Sequence, residues 1–482
     1  MAASMLLSLS CSCDKKPSGD ETPGPEPVEV GKATVYVTTA DQKMAFEKSE
    51  ISFQKVPGMA DNIVTISDAK TYQTIDGFGA AITGSTSHNL LKMTKEARTT
   101  FLKEIFDMKD GLGVSLIRVS IGSSDFGMDE YTWCDTKGIE NFAVNKWDKE
   151  EVIPVLHEIY AINPKVKIIA SPWSAPRWMK RQVNTTADYD SWTSGRLKAE
   201  CYEDYATYFV KWIQTMEKEG FNIYAMTIQN EPLNHGNSMS MYMPWKDQRD
   251  FIKTALGPAF EKAGIHTKIL VFDHNYNYDN VADQKSYPLN IYADPEASKY
   301  VAGSAWHNYG GSVTELTNIV NKAPEKEIYF TEASIGTWNY DFAKCLLNDF
   351  RDIFMNTMSR GNMGVTLWNL LLDDKGGPWR PGGCSTCFGA VTMNSSTNTI
   401  TSRQSHYYNI AHASKVIKPG ATRIGASGYT QSGLMYQAFL NPDGTHAVIV
   451  CNEGAATAIV FKDGTHSVKC GIPSQALVSI IW

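Results

Sequence analysis

Val166-Lys-Ile-Ile-Ala-Ser-Pro-Trp-Ser-Ala-Pro176, Glu200–Glu219 (ECYEDYATYFVKWIQTMEKE) and Ile223-Tyr-Ala-Met-Thr-Ile-Gln-Asn-Glu-Pro232 decide the fold between them. The outer two are short, nearly continuous apolar runs, the pattern of parallel strands buried on both faces. The middle one places Tyr205, Phe209, Trp212, Ile213 and Met216 on one stripe at the 3.6-residue period, and Gly220 stops it, so it reads as an amphipathic helix. A strand, a helix and a second strand make a right-handed crossover in a parallel sheet.

The same rhythm extends in both directions. Further strand runs fall at Thr74–Thr83, Leu112–Gly122, Thr267–Asn275, Tyr300–Tyr309, Glu327–Ser334 and Met363–Asp373. Helical patterns lie at Thr94–Phe106, Lys149–Ala161, Asp247–Ala263 (ended by Gly264) and Phe342–Ser359. Eight such repeats predict a closed (β/α)8 TIM barrel of the α/β class over residues 71–412. Beyond it the rhythm changes. Thr422–Ala426, Met435–Leu440, Ala447–Asn452, Ala456–Phe461 and Ala476–Trp482 are strand-like. Asn441-Pro-Asp-Gly444, Asn452-Glu-Gly454 and Lys462-Asp-Gly464 between them read as hairpin turns. Val35–Thr39 and Asn62–Ser67 have the same character. The expectation is a side-packed antiparallel β-sandwich made from residues 32–70 and 413–482, rigidly docked because no long linker precedes it.

Residues 1–31 read differently. The apolar Met5–Leu9 leads to Cys11 and Cys13, and a Pro/Gly/Glu-rich tether follows. This resembles the end of a bacterial lipoprotein signal, with one of the two cysteines lipidated, so the chain is expected to be exported and lipid-anchored at the cell surface or in the periplasm. Nothing else touches a membrane: no run of about 18 apolar residues exists. The composition, 43% hydrophobic and 20% charged with a net charge of −7, contains no long basic stretch and excludes nucleic acid as a partner. Twelve tryptophans suit a sugar binder as well as a core. Cys384-Ser-Thr-Cys387 lies among glycines rather than at a helix start, so it reads as a loop-pinning disulfide or two free thiols, not as a redox motif. No His pair stands at ligand spacing, and neither a metal nor a cofactor is expected.

Barrel enzymes carry their chemistry at the carboxyl ends of strands. Those ends hold Asp125, Trp173, Asn230-Glu231-Pro232, His307-Asn-Tyr309, Glu332 and Trp368-Asn369, with Trp306 just before His307. Two of these are glutamates, on the fourth and seventh strands, which stand across the barrel mouth. Retaining glycoside cleavage needs two carboxyl groups about 5–5.5 Å apart, one protonated and one ionised. Two acids this close push their proton affinities apart. Each residue also has a structural reading: either Glu could cap a helix or bind an arginine, Arg118 could be a structural ion pair, His307 a core histidine, and the tryptophans packing. Arg118, a charge inside a strand, must meet a carboxylate.

Gly77-Phe-Gly-Ala-Ala81, Ile117-Arg-Val119, Ser123-Ser-Asp-Phe126, Ala170-Ser-Pro-Trp-Ser-Ala-Pro176, Gln229-Asn-Glu-Pro232 and Phe330-Thr-Glu-Ala333 together resemble glycoside hydrolase family 30. The likeness runs from about residue 50 to the C-terminus. It implies a retaining mechanism with Glu231 as acid/base and Glu332 as nucleophile, and a glucosyl unit held by Asp125, Trp173, Asn230 and Trp368. His307 and Tyr309 match too, but glucosylceramidase-like members carry Trp where this chain has Asn308, so the leaving-group side differs. The loops Leu233–Trp245 and Gly376–Gly389 resemble the endo-β-1,6-glucanase branch; Trp379 and Arg380 of the second, and Trp306 just before His307, are the expected leaving-group contacts. The expected activity is endo-hydrolysis of β-1,6-glucan by a monomer. An exo-β-glucosidase, glucosylceramidase or β-xylosidase on the same residues is the alternative, and a non-catalytic surface glycan-binding lipoprotein is the alternative of another class.

Overall fold

The computed structural model describes residues 31–54, 61–276, 282, 284 and 286–482, so the leader with Cys11 and Cys13 lies outside the described residues. In chain order the strands used below are β1 (Lys32–Thr39), β2 (Ala45–Ser52) and β3 (Ile63–Thr74). The barrel follows: β4 (Gly77–Ala80), β5 (Leu116–Ser120), β6 (Lys167–Ser171), β7 (Ile223–Thr227), β8 (Lys268–Asn275), β9 (Val301–His307), β10 (Glu327–Glu332) and β11 (Asn362–Leu367). Last come β12 (Thr422–Gly428), β13 (Leu434–Leu440), β14 (His446–Asn452), β15 (Thr457–Lys462), β16 (Ser467–Ile472) and β17 (Ala476–Ile481).

The barrel strands pair in the order β4-β11-β10-β9-β8-β7-β6-β5. The seam between β4 and β5 is closed by the Ile82 N–H donating to the Arg118 carbonyl at 2.9 Å and by a parallel bridge between Ala81 and Arg118. Inside, Leu116, Ile169, Ala225, Leu270, Ala305 and Tyr329, one from each of six strands, form an apolar plug. Strand side chains alternate with period two. The next inward residue two positions on is Arg118, Ser171, Thr227, His307 or Thr331. On β8 it falls three positions on, at Asp273, because the register shifts between Phe272 and His274 and both Phe272 and Asp273 take positive φ. An apolar floor therefore passes in one step into a buried polar layer. Outside the barrel the helix Tyr202–Lys218 buries the anticipated stripe of Tyr205, Phe209, Trp212, Ile213 and Met216, each contributing roughly 1.5–3 kcal/mol.

The remaining strands form one continuous sheet, β2-β1-β17-β14-β13-β12-β3-β15-β16. Register shifts where β12 meets β3 let the sheet fold over itself, and both halves pack on one core that includes Val35, Ile66, Val450, Phe461 and Val478. Three details depart from expectation. β2 and β16 were not anticipated, β15 pairs with β3 in parallel, and Asn452-Glu-Gly454 is not a hairpin turn. β14 pairs with β13 and β17 whereas β15 pairs with β16 and β3, so that turn crosses between the halves.

Candidate active site

The polar layer is organised around two buried charges. Arg118 Nη2 donates to Asp273 Oδ2 at 2.8 Å and to Asn230 Oδ1 at 2.7 Å, while Nη1 donates to Glu332 Oε2 at 2.5 Å. Asp273 also accepts from Ser171 Oγ (2.8 Å), Thr227 Oγ1 (2.6 Å) and Thr331 Oγ1 (2.6 Å), and its Oδ1 lies 3.0 Å from His307 Nε2. Burial works against its charge, but Arg118, His307 and Thr227 hold the Asp273 carboxyl well below the usual range. A guanidinium with no exposed surface is tolerable only when several acceptors surround it.

Above this layer stand the two glutamates. Glu332 ends β10, with Oε1 accepting from Tyr309 Oη at 3.0 Å. Glu231 follows β7 on a turn where its own φ is +44°, a strained conformation of the kind that gathers at functional sites. Its Oε2 accepts from Asn234 Nδ2 at 2.7 Å; its Oε1 lies 3.2 Å from His307 Nδ1 and 3.7 Å from His274 Nδ1. Both carboxyl groups open onto one cleft of about 430 Å3, with Asp125, Tyr309, Trp338 and Trp368 also on its walls. That size falls within the usual range for ligand sites.

Charge is distributed unevenly between the pair. Burial raises the Glu332 carboxyl, His307 and Arg118 pull it down, Glu231 and Asp273 push it up, and the balance lies above the ordinary value. For Glu231 burial is outweighed by the hydrogen bonds and charges of His274 and His307, and the balance lies below the ordinary value. Burial alone would lower His307, yet the charge of Glu332 and the hydrogen bonds to Asp273 and Glu231 push it up to about 9. Asp125, raised to about 7 by burial and by the charge of Glu332, is partly held down by the Cys384 N–H.

Trp173 and Trp368 stack at 5.1 Å between centroids and 24° between planes, with the Arg118 guanidinium 4.9 Å from the first ring and 5.6 Å from the second. Trp368 reaches the cleft and Trp173 backs it. The three expected leaving-group contacts are placed elsewhere. Trp306 is a correction: it points out of the barrel, fully buried against Tyr276 and Phe272, because the residue next to inward-facing His307 must face outward. Trp379, 40% exposed, and Arg380 lie beside the cleft and not on its walls. Arg380 acts through its backbone, donating N–H to the Asp125 carbonyl at 2.7 Å; the turn at Gly382-Gly383 then brings Cys384 and Cys387 to the rim as a disulfide. Asp273, His274, Asn234 and Trp338 were not anticipated. Asp273, a charge within the apolar run Ile269–Asn275, carries the same signal as Arg118, whereas Trp338 sits in a loop with no pattern to mark it.

The chain matches the Glycosyl hydrolase family 30 TIM-barrel domain over residues 75–417 and the Glycosyl hydrolase family 30 beta sandwich domain over residues 420–480. It is 33% identical to the endo-1,6-beta-D-glucanase BGN16.3 of Trichoderma harzianum, over 82% of this chain and 81% of that one. It is 27% identical to the lysosomal acid glucosylceramidase of Mus musculus, over 82% of this chain and 78% of that one. The solved structure of the endo-beta1,6-glucanase BT3312 superposes with a TM-score of 0.91 at 51% identity, covering 94% of this chain and 99% of the other. On both of its domains the chain belongs to glycoside hydrolase family 30.

Proposed function

We propose that this glycoside hydrolase cleaves β-1,6-glucan internally with retention of configuration, Glu332 acting as nucleophile and Glu231 as acid/base. The observation that carries the mechanism is the shared cleft: two glutamates from strands across the barrel open onto it, one gripped by Arg118 and Tyr309, the other by Asn234 and His307. The linkage preference is supported by the glucanase relatives.

Glu332 attacks the anomeric carbon while the bond to the leaving O6 breaks and Glu231 delivers a proton to that oxygen. The 3.2 Å contact to His307 gives this proton a resting place on the imidazole while the carboxyl is ionised. Water, losing a proton to Glu231, then displaces Glu332 from the same carbon, and the two inversions restore the β configuration. Arg118 and Tyr309 orient the nucleophile for both steps. Trp368, backed by Trp173, offers an apolar wall to a pyranose face.

Digestion of pustulan resolved by size should give a ladder of oligosaccharides at early times, and proton NMR should show the β-anomer first. Glucose alone from the start, or the α-anomer first, would sink the proposal. Glu332→Gln should lower kcat by at least about four orders of magnitude while oligosaccharide still binds; undiminished turnover by that variant removes the nucleophile assignment. Lipid anchoring through Cys11 or Cys13 is part of the same proposal and rests on the leader sequence. Detergent phase partition of the wild type and of a Cys11→Ser/Cys13→Ser variant tests it, with partition unchanged by the substitutions as the refuting result.

A further inference from the structure

Among the described residues one cluster has the donors for a metal ion: Glu231, His274 and His307, all buried, with one ligand atom from each and all three within 4.8 Å of one another. The sequence hides it, since the histidines come from neighbouring strands, and it is the shifted register of β8 that sets His274 opposite Trp306. Glu231 Oε1 lies 3.2 Å from His307 Nδ1 and 3.7 Å from His274 Nδ1. Donors about 2.0–2.1 Å from a tetrahedral ion stand roughly 3.3 Å apart, close to both of these separations.

Two further observations point to a ligand. The Nδ1 of His274, a residue only 5% exposed, has no hydrogen-bond partner. At 3.7 Å from the Glu231 oxygen, this buried ring nitrogen is too far for a hydrogen bond and close enough to share an ion with it. The other two ligands are already oriented from behind. His307 Nε2 is fixed by Asp273 at 3.0 Å, the carboxylate–histidine arrangement that steadies metal-bound imidazoles, and Glu231 Oε2 is fixed by Asn234 at 2.7 Å. Glu231 itself lines the cleft, which gives an ion a way in. Two nitrogens and one oxygen suit zinc or copper, whereas magnesium and calcium favour all-oxygen shells.

We propose that Glu231, His274 and His307 form a three-ligand site for a borderline transition-metal ion such as Zn2+ or Cu2+, and that the ion blocks hydrolysis by occupying the oxygen that must carry the proton. Binding follows from the geometry once the ion displaces the proton of His307 Nδ1 to solvent; the block rests on the acid/base reading of Glu231.

The test uses the full, untagged chain. Zn2+ calorimetry should give one site per chain, and Co2+ should develop the intense visible absorption of a low-coordinate nitrogen–oxygen site. His274→Ala should weaken Zn2+ by at least about tenfold, since even outer-sphere partners cost 10–100-fold. Glu231→Gln should do the same if His274→Ala folds poorly. Affinity weaker than about 1 mM, or binding indifferent to both substitutions, overturns the site. Zn2+ should abolish glucan hydrolysis, with recovery on adding EDTA and no effect from Mg2+. Tight binding without inhibition would overturn the block and the acid/base role while leaving the site standing.

Discussion

Arg118 shows how one residue sets the electrostatics of the cleft. Its guanidinium, with no exposed surface, is shared between Asp273 and Glu332. Removing it leaves two carboxylates buried without their cation, and breaking one partner out of a buried pair typically costs about 3–5 kcal/mol. Arg118→Met should therefore lower stability by that amount in urea unfolding. Arg118→Lys keeps the charge but cannot bond Asn230, Asp273 and Glu332 at once, because it lacks the planar fork. That variant should stay folded and lose most of its kcat with little change in KM. Equal damage to stability and activity in both variants would mean Arg118 is only a structural ion pair. The need for a carboxylate partner was legible from a charge inside an apolar strand. Which carboxylates would answer it was legible only in part, because the bulge that turns Asp273 inward leaves no periodic trace.

At the scale of elements, the loop Gly376–Gly389 connects the disulfide to the sugar site. Arg380 holds the Asp125 carbonyl and the Cys384 N–H supports the Asp125 carboxyl, so the loop and Asp125 are joined by two contacts beside the Cys384–Cys387 bridge. The bridge spans a sequence separation of three, and closing so short a loop is worth only about 2 kcal/mol by chain entropy. Cys384→Ser/Cys387→Ser should thus shift Tm by only a few degrees yet, above pH 7 where Asp125 is ionised, raise KM for glucan by roughly tenfold, the loss of one hydrogen bond to a charged group. An unchanged KM would detach the loop from substrate binding. Strands and helices with a strong period were readable in advance, as Ile223–Thr227 and Tyr202–Lys218 illustrate. Pairing partners were not. Asn452-Glu-Gly454 has hairpin composition, but β14 already finds β13 and β17 on its two edges, so tertiary pairing overrides the local turn. Trp306 failed for the opposite reason: its position beside His307 was correct, and period-two alternation turned it away.

For the whole molecule, the join between barrel and sandwich turns on a neutral histidine. His412, in the helix Ser405–Ser414, has Nδ1 2.8 Å from Ser479 Oγ on β17 and Nε2 2.8 Å from Thr38 Oγ1 on β1. Phe46 and Phe350 pack their rings against it. Burial among these neutral groups lowers its proton affinity from 6.5 to about 3. Above pH 6.5 the ring is neutral in both folded and unfolded chains and contributes no slope. Between pH 6.5 and about 3 the unfolded chain binds a proton that the folded one refuses, so stability falls as the solution is acidified, by up to about 1.4 kcal/mol per pH unit. His412→Gln, which can still hydrogen-bond both hydroxyls, should cost some packing but remove this slope. Urea unfolding at pH 7, 6 and 5 separates the two contributions: the gap between wild type and variant should narrow steadily as the pH drops. If both chains lose stability in parallel, the junction is held by its apolar contacts and the histidine does not make it sensitive to acid.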